Sequence, residues 1–157
     1  MPTRFYLPAS GTAPVSPTIS AEWEHQQVTR RPTSTVKGST ALTTAAYTPD
    51  AADHLVNQDA HHVQFSSTQQ LAAQTIAAQT IELAIQGLEA HAGNNLFVTL
   101  KIFVVDAAGT TIKETLLAIT RDAVEFTTGL LSRSLTATTT AATVEANDRL
   151  VFEIGVG

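Results

Sequence analysis

The sequence predicts an all-β protein: an antiparallel β-sandwich of jelly-roll-like order, preceded by an extended N-terminal arm. Three observations carry this. Apolar residues alternate with a period of two through much of the chain after Gly38, the alternating runs are short, and turn residues separate them. Prolines punctuate the segment from Met1 to Pro32, where no long helix can survive. The chain divides accordingly into an arm, residues 1–32, and a β-sandwich domain, residues 33–157.

The arm carries Pro2, Pro8, Pro14, Pro17 and Pro32, yet it is not a disordered tail in composition. Phe5, Tyr6, Leu7, Val15, Ile19 and Trp23 are apolar groups too large to leave in water without loss. Extended backbone with spaced anchors reads as an arm lying along a surface, its own or a neighbour's. An ordinary first strand packed on its own domain is the equal alternative. Phe5, Tyr6, Leu7 and Trp23 are the candidate assembly residues. Trp23 is expected to act as a plug with its N–H satisfied, pinning the arm to the body, because one aromatic does not make a sugar-binding platform.

In the body, the clearest strand is Leu96 to Val105, with Leu96, Val98, Leu100, Ile102 and Val104 on one face and Phe97, Thr99, Lys101 and Phe103 on the other. Asp106-Ala-Ala-Gly109 then supplies a turn, and Thr111 to Thr120 returns as the partner of a hairpin. Gln79 to Leu88 places Ile81, Leu83 and Ile85 opposite Thr80, Glu82 and Ala84. After an Asn147-Asp148 turn the chain closes on a strand in which Leu150, Phe152, Ile154 and Val156 alternate with Arg149, Val151 and Glu153. Further strands are expected at Ala41 to Tyr47, His61 to Ser66, Gln69 to Ala78 and Ser134 to Val144. Asp122 to Leu131 is expected as a short helical turn or irregular link, with Asp122 as its cap. About eight strands in one domain suggest two packed sheets.

Composition bounds the function. At 157 residues the chain is one domain, large enough to bury a core without staples, and it has no cysteine for a disulfide, a thiolate site or a nucleophile. A net charge of −5, with Lys and Arg scattered, gives no basic stripe for nucleic acid. No apolar run approaches the ~20 residues that cross a bilayer, and the first residues lack the pattern of a secretory signal. Cytoplasmic synthesis and a soluble product are therefore expected. Only 15% of residues are charged, and Thr and Ala are abundant. A surface of Thr packs against neighbours with little desolvation penalty, which favours a subunit of something larger; a GC-rich genome produces the same bias.

No catalytic constellation emerges. There is no Gly-x-Ser-x-Gly elbow, no phosphate-binding glycine loop and no carboxylate pair that stands out, so an enzyme is not expected and no cofactor is implied. Asp50, Asp53, His54, Asp59, His61 and His62 have the residue types of a metal site. Their spacing matches no established pattern, and the adjacent histidines would point to opposite faces of a strand. Asp50, Asp53, His54, Asp59 and His61 are thus weak metal candidates, and a polar loop leading into a strand is the preferred reading.

Particular motifs do resemble a known group. The opening Thr3-Arg-Phe-Tyr-Leu-Pro8, with Gly11, Pro14, Ser16-Pro17 and Trp23, is similar to small virion structural proteins encoded by tailed phages and prophages. So are Leu71-Ala-Ala-Gln-Thr-Ile76, the hairpin from Leu96 to Leu117, Thr120-Arg-Asp122 and the closing Asp148-Arg-Leu-Val-Phe-Glu-Ile-Gly155. The segment from Thr33 to Ser67 is the least similar. The group's central turn often reads Ser-Asn-Asp-Gly, where this chain has Asp106-Ala-Ala-Gly109, which leaves the turn type open.

The resemblance implies a virion protein made in the host cytoplasm, with no catalytic residues to carry over. The expected role is a capsid decoration (cement) protein that binds the major capsid protein and itself, as a trimer at capsid symmetry points. A tail, baseplate or fibre module that binds the host is the alternative. A secreted carbohydrate- or metal-binding β-sandwich using Asp50 to His62 is the third reading.

Overall fold

The computed structural model describes residues 3–37 and 59–157. Among them every regular element is a strand. The expected strand Ala41 to Tyr47 lies outside the described residues, as do Asp50, Asp53 and His54.

Two short strands, β1 (His25–Gln26) and β2 (Arg30–Pro32), close the arm. The body adds β3 (Ala60–Ser66), β4 (Gln74–Ile76), β5 (Thr80–Gly87), β6 (Phe97–Val105), β7 (Ile112–Glu125), β8 (Leu131–Thr138), β9 (Ala142–Val144) and β10 (Arg149–Val156). A six-stranded sheet runs β1-β3-β10-β6-β7, with β2 joining β1 on the outer edge of β3. β1 and β2 pair with β3 in parallel, whereas β3, β10, β6 and β7 are antiparallel to their neighbours. Two antiparallel ribbons complete the molecule, β4 with β9 and β5 with β8. The all-β expectation holds.

The alternation read from the sequence decides which side of the large sheet meets the ribbons. Val63 and Phe65 of β3, Val98, Leu100, Ile102 and Val104 of β6, and Ile154 of β10 form the main core with Leu135 of β8 and Val144 of β9. Ile81, Leu83 and Ile85 of β5 pack against it from the ribbon side. The opposite face of the sheet is also covered: Phe103, Val105 and Val151 are fully buried there beneath Val15 of the arm.

The hairpin turn is built by its own side chain. Asp106 accepts hydrogen bonds from the Thr110 and Thr111 amides at 2.7 and 3.2 Å, and from the Thr110 hydroxyl at 2.9 Å. These donors hold its carboxyl below the usual carboxylate range. Gly109 turns the chain at φ +73°, and a Cβ there would come within 2.6 Å of Val15.

Three expected elements differ. Of the expected helical turn or irregular link from Asp122 to Leu131, Asp122 to Glu125 are the end of β7, which pairs again with β6 at Phe97–Glu125 after a register shift, and residues 126–130 are the irregular link into β8. Ser134 to Val144 is two strands. At Thr139 and Thr140 the chain leaves β5 for β4, and its amides are taken by the Gln79 and Leu116 carbonyls. Gln69 to Ala78 is extended only over β4, since Leu71 is tied instead to the Asn147–Asp148 turn, where Asn147 adopts φ 76°.

Candidate functional site at the joint between arm and body

The arm wraps the β3 edge. Phe5 lies on the ribbon side, its ring 5.2 Å from that of Phe152, and Leu7 packs against the main core. Tyr6 exchanges backbone hydrogen bonds with Ser34, and both Tyr6 and Leu7 remain half-buried. The chain then crosses to the other face, where Pro17, Ile19, Ser20 and Trp23 are buried. It returns along β3 as β1 and β2, with the Gln27 amide bonded to the His61 carbonyl and the Gln64 amide to the Thr29 carbonyl. A strand edge that would otherwise offer its amides to other chains is thereby occupied.

The joint is a buried polar network. Glu153 of β10 is fully buried, and its Oε1 accepts from the Ser20 amide at 3.0 Å and from Gln64 Nε2 at 2.9 Å. Its Oε2 accepts from the Trp23 indole N–H at 2.7 Å. Beside it on β6, in register with Glu153, the buried Lys101 donates to the half-exposed Glu22 of the arm. Two of the carboxylate's three donors, and the partner of the ammonium, thus come from residues 20–23. Buried charges need such partners, so removing the arm strands both ions.

Two local features make room for Trp23. Between Ile154 and Gly155 the pairing with β3 shifts register, so that Gly155 faces His61. A Cβ at Gly155 would lie 2.7 Å from the Trp23 ring and 2.1 Å from the Ala60 carbonyl oxygen, so only glycine fits. The shift also turns His61 toward the arm, where its ring meets Trp23 edge-on at 5.7 Å. His61 is fully buried, and its Nδ1 lies 2.8 Å from the Gln27 carbonyl. Burial pushes its pKa down to about 4, against the upward pull of that hydrogen bond; His62 and Arg30 lower it further.

Of the metal candidates that are described, Asp59 and His61 are not brought together. Asp59 Oδ1 accepts from Arg121 Nη2 at 2.9 Å, at the sheet end where β10 finishes, whereas His61 turns to Gln27 and Trp23. No group of three or more potential ligands occurs among the described residues. A groove of about 320 Å³ lies between Phe5 of the arm and Gln74 to Ala77, but no titratable side chain lines it. No helix among the described residues is long and apolar enough to cross a membrane.

Sequence reasoning singled out Trp23 but not Glu153, Lys101, Gln64 or Ser20. A signal was present: Lys101 is flanked by Thr99 and Phe103, and Glu153 by Val151 and Gly155, on a sheet face with too much apolar surface for solvent. A charge set in such a row marks a covered face with a counter-ion supplied from elsewhere. Compared with protein-family models, with curated proteins and with solved structures, the chain shows no significant match to any of them.

Proposed function

We propose that this protein is a non-enzymatic structural component of a tailed-phage virion, a capsid decoration protein whose two layers form a jelly-roll-like sandwich. The carrying observation is the division of labour within the arm. Residues 15–32 are locked to the body by Glu153, Lys101 and the β3 edge, whereas Thr3 and Arg4 are exposed and Phe5 to Leu7 half-buried at the end of the wrap. A rigidly rooted arm whose first described residues are exposed suits a protein that grips an assembled lattice, because the rooted part is already ordered before binding. The outer face of the β5–β8 ribbon adds to this reading. Thr80, Ala84, Gln86, Ser132, Thr136 and Thr138 are exposed there around a single charge, Glu82, a low-charge surface that a capsid subunit can cover with little desolvation penalty. The proposed partners are the major capsid protein and further copies of this chain, as a trimer at symmetry points.

Deleting residues 1–8 tests this directly, since the deletion stops ahead of Val15, Ser20, Glu22 and Trp23 and leaves the cover over Phe103, Val105 and Val151 and the Glu153 network in place. The truncated protein is expected to fold and to lose binding to particles. Normal incorporation would overturn the role of the tip. Copy number separates the head from the tail: hundreds of copies per purified particle fit decoration, and a handful would move the protein to the tail or baseplate.

A further inference from the structure

The molecule has several strand edges, and they are treated differently. The β3 edge is covered by β1 and β2. The hairpin strand β7, at the other end of the large sheet, is broken by repeated register shifts against β6. Both are common ways of keeping a sheet from adding further strands. β5 has neither. It pairs with β8 from Thr80–Thr138 to Gly87–Leu131 without a shift, and its other edge meets no strand among the described residues. It contains no proline, lysine or arginine.

Its burial is also incomplete. Leu135 of β8 is 1% exposed, whereas its partner Leu83, together with Ile81 and Ile85, is only partly buried although all point into the same core. Among the described residues no strand covers this row on the side away from β8, and Leu88, just beyond the strand, is 52% exposed.

The sequence of this edge is self-complementary. Set antiparallel to itself about Leu83, it places Ile81 opposite Ile85, Leu83 opposite Leu83, Thr80 opposite Gln86 and Glu82 opposite Ala84. Every apolar core residue then meets an apolar one on the same face, and the strand's one charge meets a methyl group rather than its own copy. A twofold axis through Leu83, perpendicular to the sheet, joins two β5–β8 ribbons into one continuous four-stranded sheet.

We propose that the edge of β5 left open among the described residues is a homotypic docking surface, pairing antiparallel with β5 of a second copy of this chain about Leu83. The pairing does not depend on the virion reading. In a trimer it would link one trimer to the next across a local twofold.

Two sets of variants of the full chain test the surface and its register. Ala84 is exposed, and the proposed register puts residue 84 opposite Glu82 of the second copy twice. Sedimentation equilibrium of the unmodified protein is expected to show association through a twofold contact. Ala84→Glu should weaken it about tenfold, and Ala84→Lys should strengthen it several-fold, on the order expected of two opposed charge pairs. Because the chain has no cysteine, Glu82→Cys and Ala84→Cys form a second test. A mixture of the two should oxidise to a covalent dimer much faster than either alone. A protein that stays monomeric through the micromolar range, charge variants that shift association in the same direction, or single-cysteine variants that cross-link as readily as the mixture would overturn the proposal. All these readouts use purified protein, so their failure is distinct from a failure to bind particles.

Discussion

The two faces of the large sheet are held by different physics. Toward the ribbons, Leu100, Ile102, Val104 and Ile154 meet Leu135 and Val144 in an apolar core whose stability is spread over many weak contacts. Toward the arm, Glu153 and Lys101 are buried charges whose partners are few, directional and, apart from Gln64, supplied by residues 20–23. An apolar face tolerates small losses by relaxing around them. A buried ionic face does not, because a lost partner leaves a desolvated charge behind. The arm is therefore an integral layer of the fold from Val15 onward, and ahead of it Phe5 to Leu7 are half-buried against the body with Thr3 and Arg4 exposed.

Truncating one anchor on each face gives the largest contrast. Trp23→Ala removes the arm's main apolar group and one donor to Glu153, and it should destabilise by about 3–5 kcal/mol. Limited proteolysis should then cut within residues 17–30 before the body opens. Leu135→Ala should lose about 2–5 kcal/mol from its cavity, but with arm and body becoming protease-sensitive together. If both variants lose the arm first, the two faces are not separable in the way described.

The pH dependence sharpens the same difference. The value of about 4 for His61 in the folded chain lies below the ordinary 6.5, so the unfolded chain takes up the proton more readily. Its contribution is complete above about pH 6.5, declines as pH falls toward 4, and is constant below; two to three pH units correspond to roughly 3–4 kcal/mol at most. Urea denaturation in this window should show stability falling with acid, and His61→Gln should flatten the slope. Leu135→Ala should leave the slope unchanged, since Leu135 lies in the apolar core away from His61.

A smaller effect is expected from Glu153→Gln. The substitution keeps the shape but replaces one acceptor oxygen with a donor, facing either the Ser20 amide and Gln64 or the Trp23 N–H. A loss of about 1–3 kcal/mol in chemical denaturation is expected, with the arm's amides exchanging faster than those of β6. Equal protection in both segments would mean that the carboxylate does not hold the arm.

Much of the body was legible from local pattern. The alternation in Leu96 to Val105, in Gln79 to Leu88 and in the closing strand identified β6, β5 and β10 and the faces they bury, because side-chain direction in a strand follows from a period of two alone. The turns at Asp106 and Asn147 were legible for the same reason, their residue types being suited to local hydrogen bonds and positive φ.

The sequence by itself thus determined the class of structure, the main strands and the position of Trp23 among extended, proline-spaced residues. Tertiary structure alone decided where β7 ends, where Ser134 to Val144 breaks and which strands pair, since these depend on partners distant in sequence. It decided too that Lys101 and Glu153, each opposite the main-core residues by alternation, are buried beneath residues 20–23 of the arm. Alternation reports which face a side chain takes. Whether water or another segment lies over that face is settled only when residues 20–23 are brought across more than a hundred positions to Glu153.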